Sequence, residues 1–145
     1  MPDPDALTAL TERVAESFAR QGLMRTLGAR IVRVAAGEVT LEAEVSAATS
    51  QQHGAGHAGL TFALADSAAG YAALTAMEAG REVVTAEMRI SLLAPARGRL
   101  VATGRVLRPG RRIVAVAADV HGGDGAHVAT ALGTMVPVGA GAAAG

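Results

Sequence analysis

Apolar and polar positions change period along this chain, and each change predicts an element. Leu7, Leu10, Val14 and Phe18 recur at intervals of three and four, with Asp3 and Asp5 in front and Gly22 just beyond, the pattern of an amphipathic helix. After Gly28 the period falls to two. Val39, Leu41, Ala43 and Val45 alternate with Thr40, Glu42 and Glu44, which predicts a half-buried strand, paired through Ala36, Gly37 and Glu38 with a strand near 29–34. From about Ala58 to Ala79 the chain is rich in Ala and Leu, lacks proline and stops before Gly80. This predicts a long helix, apolar on every side and therefore buried. Strand-like segments follow at 83–93, 99–107, 112–120 and 126–136, separated by hairpin-length turns at 94–98, 108–111 and 121–125. The expected class is α+β: an antiparallel sheet of five to six strands wrapped around a long central helix, in one domain over 1–138. The stretch 139–145 is only Gly and Ala and reads as a flexible tail.

Composition narrows the chemistry. At 145 residues one core is expected, burying about two thirds of the unfolded surface. The chain has no cysteine, which excludes disulfides, thiolate catalysis and Cys-based zinc sites. All 13 basic residues are arginine, so Schiff-base and P-loop lysine chemistry are excluded too. Charge is balanced, and Phe18, Phe62 and Tyr71 are the only aromatics, leaving neither a basic footprint nor stacking platforms for nucleic acid. The acidic start Met1-Pro2-Asp3-Pro4-Asp5 does not read as a signal peptide, so none is expected, and no apolar run reaches membrane-span length. A soluble, cytoplasmic protein with no nucleic-acid or membrane partner is expected.

Within this frame the segment 51–71 carries the chemistry. A loop of amides, histidines and glycines, Gln51 to Gly59, opens the apolar helix, and a helix start presents unpaired N–H groups that stabilise developing negative charge. Asp66 then stands among Leu64, Ala65 and Ala68 with no Arg or Lys between His57 and Met77. Desolvation should raise its pKa toward the range of a base useful at neutral pH. Asp66 lies eight residues after Ala58, ~12 Å along a helix axis, too far for one small carbonyl to touch both. An oxyanion donor at Ala58 or Gly59 acting together with Asp66 therefore calls for two subunits and a site shared across a homodimer.

Competing motifs lack their context. Gly54-Ala55-Gly56-His57-Ala58-Gly59 spells G-x-G-x-x-G, yet a polar stretch rather than a buried strand precedes it. His53 and His57 are four apart, but His121 and His127 lie in a distant hairpin, so no metal is expected. Ser67 lacks the strained G-x-S-x-G elbow of a hydrolase triad. Arg108, Arg111 and Arg112 cluster at one turn, where they either grip phosphates or form a solvated tip.

The residues 51–71, with His57-Ala58-Gly59 and Leu64-Ala65-Asp66, and the segment Thr85 to Pro95 resemble the hotdog-fold acyl-CoA thioesterases, in particular the phenylacetate-pathway branch. The resemblance runs from about Leu23 to Val138. It implies that Asp66 attacks the thioester carbonyl or activates water. Ala58, in place of a glycine, would polarise that carbonyl through its N–H with help from Gly59, and Gln51 would orient substrate or water. It further implies Thr85 as a hydroxyl near the site, His53 and His57 in the loop that receives the pantetheine arm, and Arg108, Arg111 and Arg112 as phosphate contacts. Coenzyme A would be a substrate part and no cofactor would be bound. Homodimers, pairing into homotetramers, are the implied assembly. Two rival readings are a hotdog enoyl-CoA hydratase, with His57 paired to a partner's acid, and a non-catalytic acyl-CoA-binding protein.

Overall fold

The computed structural model describes residues 2–139. Its elements are α1 (Pro4–Ala19), α2 (Gly22–Thr26), β1 (Arg30–Ala35), β2 (Glu38–Glu44), α3 (Ala58–Thr75), β3 (Arg81–Leu92), β4 (Arg99–Arg108), β5 (Val114–Gly122) and β6 (His127–Gly139). The six strands form one sheet in the order β1-β2-β4-β5-β6-β3, every neighbour antiparallel. Helix α3 lies across its inner face.

The period of two places the core. Val39 and Leu41 of β2, Leu100 and Ala102 of β4, Val116, Ala118 and Val120 of β5, and Ala129 and Met135 of β6 are all buried toward α3. Helix α3 answers with Leu64, Ala65, Ala68, Ala69 and Ala72. Small residues are required because the backbones touch. A Cβ at Gly104 of β4 would stand 2.2 Å from the carbonyl carbon of Ala68 and 2.3 Å from the Ala69 nitrogen.

Four expectations need correction. Helix α3 ends at Thr75, short of Ala79, because its last carbonyls find other donors. Arg13 of α1 donates to Leu74 O (3.1 Å), Met77 O (3.0 Å), Glu78 O (2.8 Å) and Arg81 O (2.9 Å), capping the negative end of the helix with an imported cation. Gly22, expected to follow the first helix, opens the short α2, which is too brief to leave a periodic signal. The segment 94–98 is no hairpin: β3 pairs with β6, β4 lies between β2 and β5, and the connection crosses the sheet end, tied by Gly56 N–H to Ala96 O (2.7 Å). Gly139 is the last residue of β6, paired with Arg81, and the rest of the expected tail, 140–145, lies outside the described residues.

Two polar clusters secure the periphery. Tyr71 of α3 is buried, and its hydroxyl receives Gln21 Nε2 (2.7 Å) and lies 3.2 Å from Ser17 Oγ, which holds the α1–α2 junction against α3. Glu42, only 4% exposed, is held between the guanidinium groups of Arg30 and Arg99. Burial alone would raise its carboxyl pKa; the two arginines outweigh that and bring it below the ordinary range.

Because the atoms facing Gly104 are backbone, nothing nearby can rotate away. Gly104→Ala is expected to cost about 3 kcal/mol or more of unfolding free energy, the upper end for overpacking. Urea or thermal unfolding checks this, and a loss under about 1 kcal/mol would show that α3 is not pressed against β4.

Candidate active site

The loop before α3 is held by its own backbone. Gln51 N–H donates to Ala55 O (2.8 Å), Gly54 N–H to Gln51 O (3.1 Å) and His57 N–H to Thr49 O (2.8 Å). Gly54 has φ +88°, a left-handed conformation that a side chain would strain. His57 is the N-cap of α3, with Nδ1 accepting from Gly59 N–H at 2.7 Å. A Cβ at Gly59 would meet that nitrogen at 3.0 Å, so glycine keeps the cap closed. An Nδ1 that accepts leaves the ring proton of neutral imidazole on Nε2.

This cap separates two donors that the sequence treats alike. The N–H of Gly59 is taken by His57, whereas that of Ala58 has no hydrogen-bond partner among the described residues. Ala58 is exposed at the first position of α3, so the free end of the helix dipole opens there. Gln51 is half-buried, and its side-chain carbonyl accepts from the N–H of His53 at 2.5 Å. The His53 side chain is exposed.

Asp66 lies on α3 beside β3 and is half-buried. Thr85 Oγ1 donates to Asp66 Oδ1 at 2.7 Å. Thr85 borders a bulge, since β3 pairs with β6 as Thr85 with Met135 and then Glu87 with Thr134. Bulges re-aim side chains, and this one falls beside the acid. Burial raises the Asp66 pKa above its ordinary 3.8, and the Thr85 hydroxyl only partly offsets it. Ser67, the neighbouring residue, points elsewhere, toward Gln21 Oε1 at 3.5 Å.

The remaining residues lie apart. A cleft of about 950 Å³ at the other end of α3 is lined by Ala76, Met77, Glu78, Arg81, Arg111, Arg112 and neighbours. Arg108 is exposed at the end of β4, outside that lining, while Arg81 is a lining cation that turn clustering alone did not reveal. His121 and His127 stack with ring centroids 4.7 Å apart on the sheet face turned away from α3, and His127 Nε2 meets Asp119 Oδ1 at 2.8 Å. No three His, Asp or Glu side chains among the described residues are placed to hold a metal ion.

A family model for the thioesterase superfamily matches residues 53–129, the stretch that holds the capped loop, Asp66 and Thr85. The chain belongs to the thioesterase superfamily. A thioesterase family protein from Silicibacter pomeroyi is 37% identical and superposes with a TM-score of 0.86, over 90% of this chain and 98% of that one. The PaaI protein from the phenylacetic acid degradation operon of E. coli shares the fold, with a TM-score of 0.83 at 24% identity, over 92% of this chain and 96% of its own. A Saccharolobus solfataricus protein named as an esterase is 36% identical over 81 residues, 55% of this chain, and the chain spans 53% of that relative's length. The sheet wrapped on α3 is the hotdog fold shared with these structures, and membership of the superfamily places the chain among thioester hydrolases. No helix among the described residues is long and apolar enough to cross a membrane.

Ala58 is the first residue of α3, where proline is accommodated because its φ fits and no intrahelical N–H is needed. If Ala58 N–H is an oxyanion donor, Ala58→Pro is expected to fold with an unchanged melting temperature while losing about 10²- to 10³-fold in kcat, the usual loss of one such donor. Steady-state kinetics beside a melting curve separate the two effects. Retention of the full rate would remove Ala58 N–H from the chemistry.

Proposed function

We propose that this thioesterase hydrolyses acyl-CoA thioesters to a free acid and coenzyme A, with Asp66 as nucleophile or general base. The observation that carries the reading is a half-buried carboxylate whose polar partner is a hydroxyl rather than a cation, so that its proton affinity rises instead of falling. Acting as a base, Asp66 takes a proton from water while the water oxygen bonds to the carbonyl carbon. The C–S bond then breaks, its electrons pass to sulfur, and Asp66 returns the proton to the thiolate. Acting as a nucleophile, Asp66 forms an anhydride with loss of thiolate, and water then opens it. In both routes the carbonyl oxygen becomes negative, and Ala58 N–H at the start of α3 supports it.

Within one protomer Ala58 and Asp66 remain ~12 Å apart along α3, so the reading places them in one site only across a two-fold pair. The supporting feature is the edge of the sheet. Strand β3 pairs with β6 on one side only, and Asp66, Thr85 and the partly exposed Phe62, Leu92 and Leu93 lie on or near that free edge. A long unpaired edge is a template for another chain. The proposed homodimer forms there, and dimers pair into homotetramers. Coenzyme A phosphates then bind Arg111 and Arg112 in the cleft with Arg108 alongside, Gln51 and His53 border the pantetheine arm, and the setting is cytoplasmic.

The rivals fit less well. A hydratase requires His57 as a base, yet its Nδ1 is occupied by Gly59 N–H and the ring proton lies on Nε2. A protein that only binds acyl-CoA has no use for an acid held above its ordinary pKa.

A thiol-release assay over a panel of acyl-CoAs, with Asp66→Asn beside the wild type, tests the function. The substitution is expected to lower kcat/KM by at least about 10²-fold, and the wild-type rate to fall as pH drops through a pKa above the ordinary aspartate value. Since folding raises this pKa, the ionised acid costs stability above the folded pKa, and the cost vanishes below the unfolded value near 3.8. Asp66→Asn should therefore melt at or above the wild-type temperature at neutral pH, an advantage lost in acid. A folded Asp66→Asn protein with the full rate would overturn the assignment.

A further inference from the structure

Helix α3 contains two glycines, Gly59 and Gly70, and the fold accounts for only the first. At Gly59 a Cβ would stand 3.0 Å from the capping nitrogen of His57, close enough to push the ring from its cap. Gly104 and Gly133 in the sheet are likewise explained, since a Cβ at either would overlap neighbouring backbone. Gly70 is different. A Cβ there would meet only the flexible end of Met135, with Cε and Sδ both at 3.9 Å, an ordinary contact. Glycine in a helix interior is otherwise unfavourable relative to alanine, and Ala68, Ala69, Ala72 and Ala73 around it show that alanine packs well in this layer.

Position explains what stability does not. Gly70 is four residues after Asp66, one turn further along the same face of α3. Side chains on a helix lean toward the preceding turn, so any substituent longer than hydrogen at position 70 projects over the turn that carries Asp66. Thr85 Oγ1 occupies one oxygen of the acid at 2.7 Å, and the same hydroxyl lies 3.4 Å from Met135 Sδ. Asp66, Thr85 and Met135 thus form one run of contacts that borders the methyl-sized gap left at Gly70, on a buried part of α3. The deformable wall of that gap is a thioether, which yields to apolar groups of different shape.

We propose that Gly70 is a specificity-determining position: its missing side chain keeps open the flank of Asp66 along which the acyl chain lies, with Met135 as the movable wall. This inference rests on the reading of Asp66 as the acid of an acyl-CoA thioesterase. The group admitted is an extended acyl chain, apolar next to the carbonyl, and the space beside Gly70 sets how bulky that chain is near its thioester.

The test compares Gly70→Ala and Gly70→Val with wild type, measuring melting temperature and kcat/KM for acyl-CoAs of increasing length and branching. Gly70→Ala is expected to melt about 2 to 4 °C higher, because alanine relieves the conformational cost of glycine without strain. The ratio of kcat/KM for a long or branched acyl group to that for acetyl is expected to fall about fivefold or more in Gly70→Ala and further in Gly70→Val. A higher melting temperature with an unchanged ratio would overturn the proposal. So would a lower melting temperature in Gly70→Ala, which would show that packing requires the glycine. If Gly70→Val does not fold, Gly70→Ala still decides. Failure of the underlying reading shows separately, as full activity of Asp66→Asn in the same assay.

Discussion

The contact between the backbone of α3 at Ala68 and the backbone of β4 at Gly104 is the constraint on which the rest depends. A helix pressed this closely onto a sheet admits only small residues at the junction, which is why α3 is built largely from alanine and buried on nearly all sides. Closeness then determines what Asp66 experiences. Two residues before Ala68, it is carried to the margin of the sheet, near enough to β3 for Thr85 to reach it and deep enough to lose water on one side. At the far end, the guanidinium of Arg13 gathers carbonyls from α3, the connection after it and the start of β3, so the two elements that bear Asp66 and Thr85 share one anchor.

Three acids show how partners, rather than burial alone, decide charge. Glu42 is the most hidden, yet Arg30 and Arg99 hold it ionised, and it serves as a cross-strand tie between β1, β2 and β4. For Asp119, burial raises the pKa, but Arg105 at 2.6 Å, joined by the Thr130 hydroxyl and His127, more than reverses it. For Asp66, burial is opposed by a hydroxyl alone, and the raised value survives. Neutral hydrogen bonds are weaker than charge-assisted ones, so the difference follows from the partners' chemistry. An acid left in such a state is the kind of group that catalytic sites use, which is the ground for the role proposed for Asp66.

Much of this was legible from the chain. Alternation along Val39 to Val45 and along the later segments gave the strands, and the run of Ala and Leu after His57 gave α3, because both patterns are local. What escaped was non-local. Arg13 looks like any exposed helix cation until α3 ends beside it, and the crossing at 94–98 has the length of a hairpin but joins strands that are not neighbours. Glu42 fits the polar half of an alternating strand, and only the folded sheet sets an arginine on either side of it. The distinction between Ala58 and Gly59 depends on which way one imidazole turns, a matter of side-chain torsion that spacing does not encode. The acid itself was readable because a lone carboxylate in an apolar helix is anomalous on composition alone.

The same helix that carries the acid carries the free amide, and its rigidity keeps them apart within one chain. Subunit complementation addresses this most directly: Asp66→Asn and Ala58→Pro chains, each inactive alone, are co-expressed and the mixed oligomers assayed for thiol release. If the site joins Asp66 of one subunit to Ala58 of its partner, each mixed dimer contains one intact site, and random assortment restores about a quarter of wild-type activity. If both groups act within a single chain, the mixture stays as inactive as its parents, and the shared site is refuted.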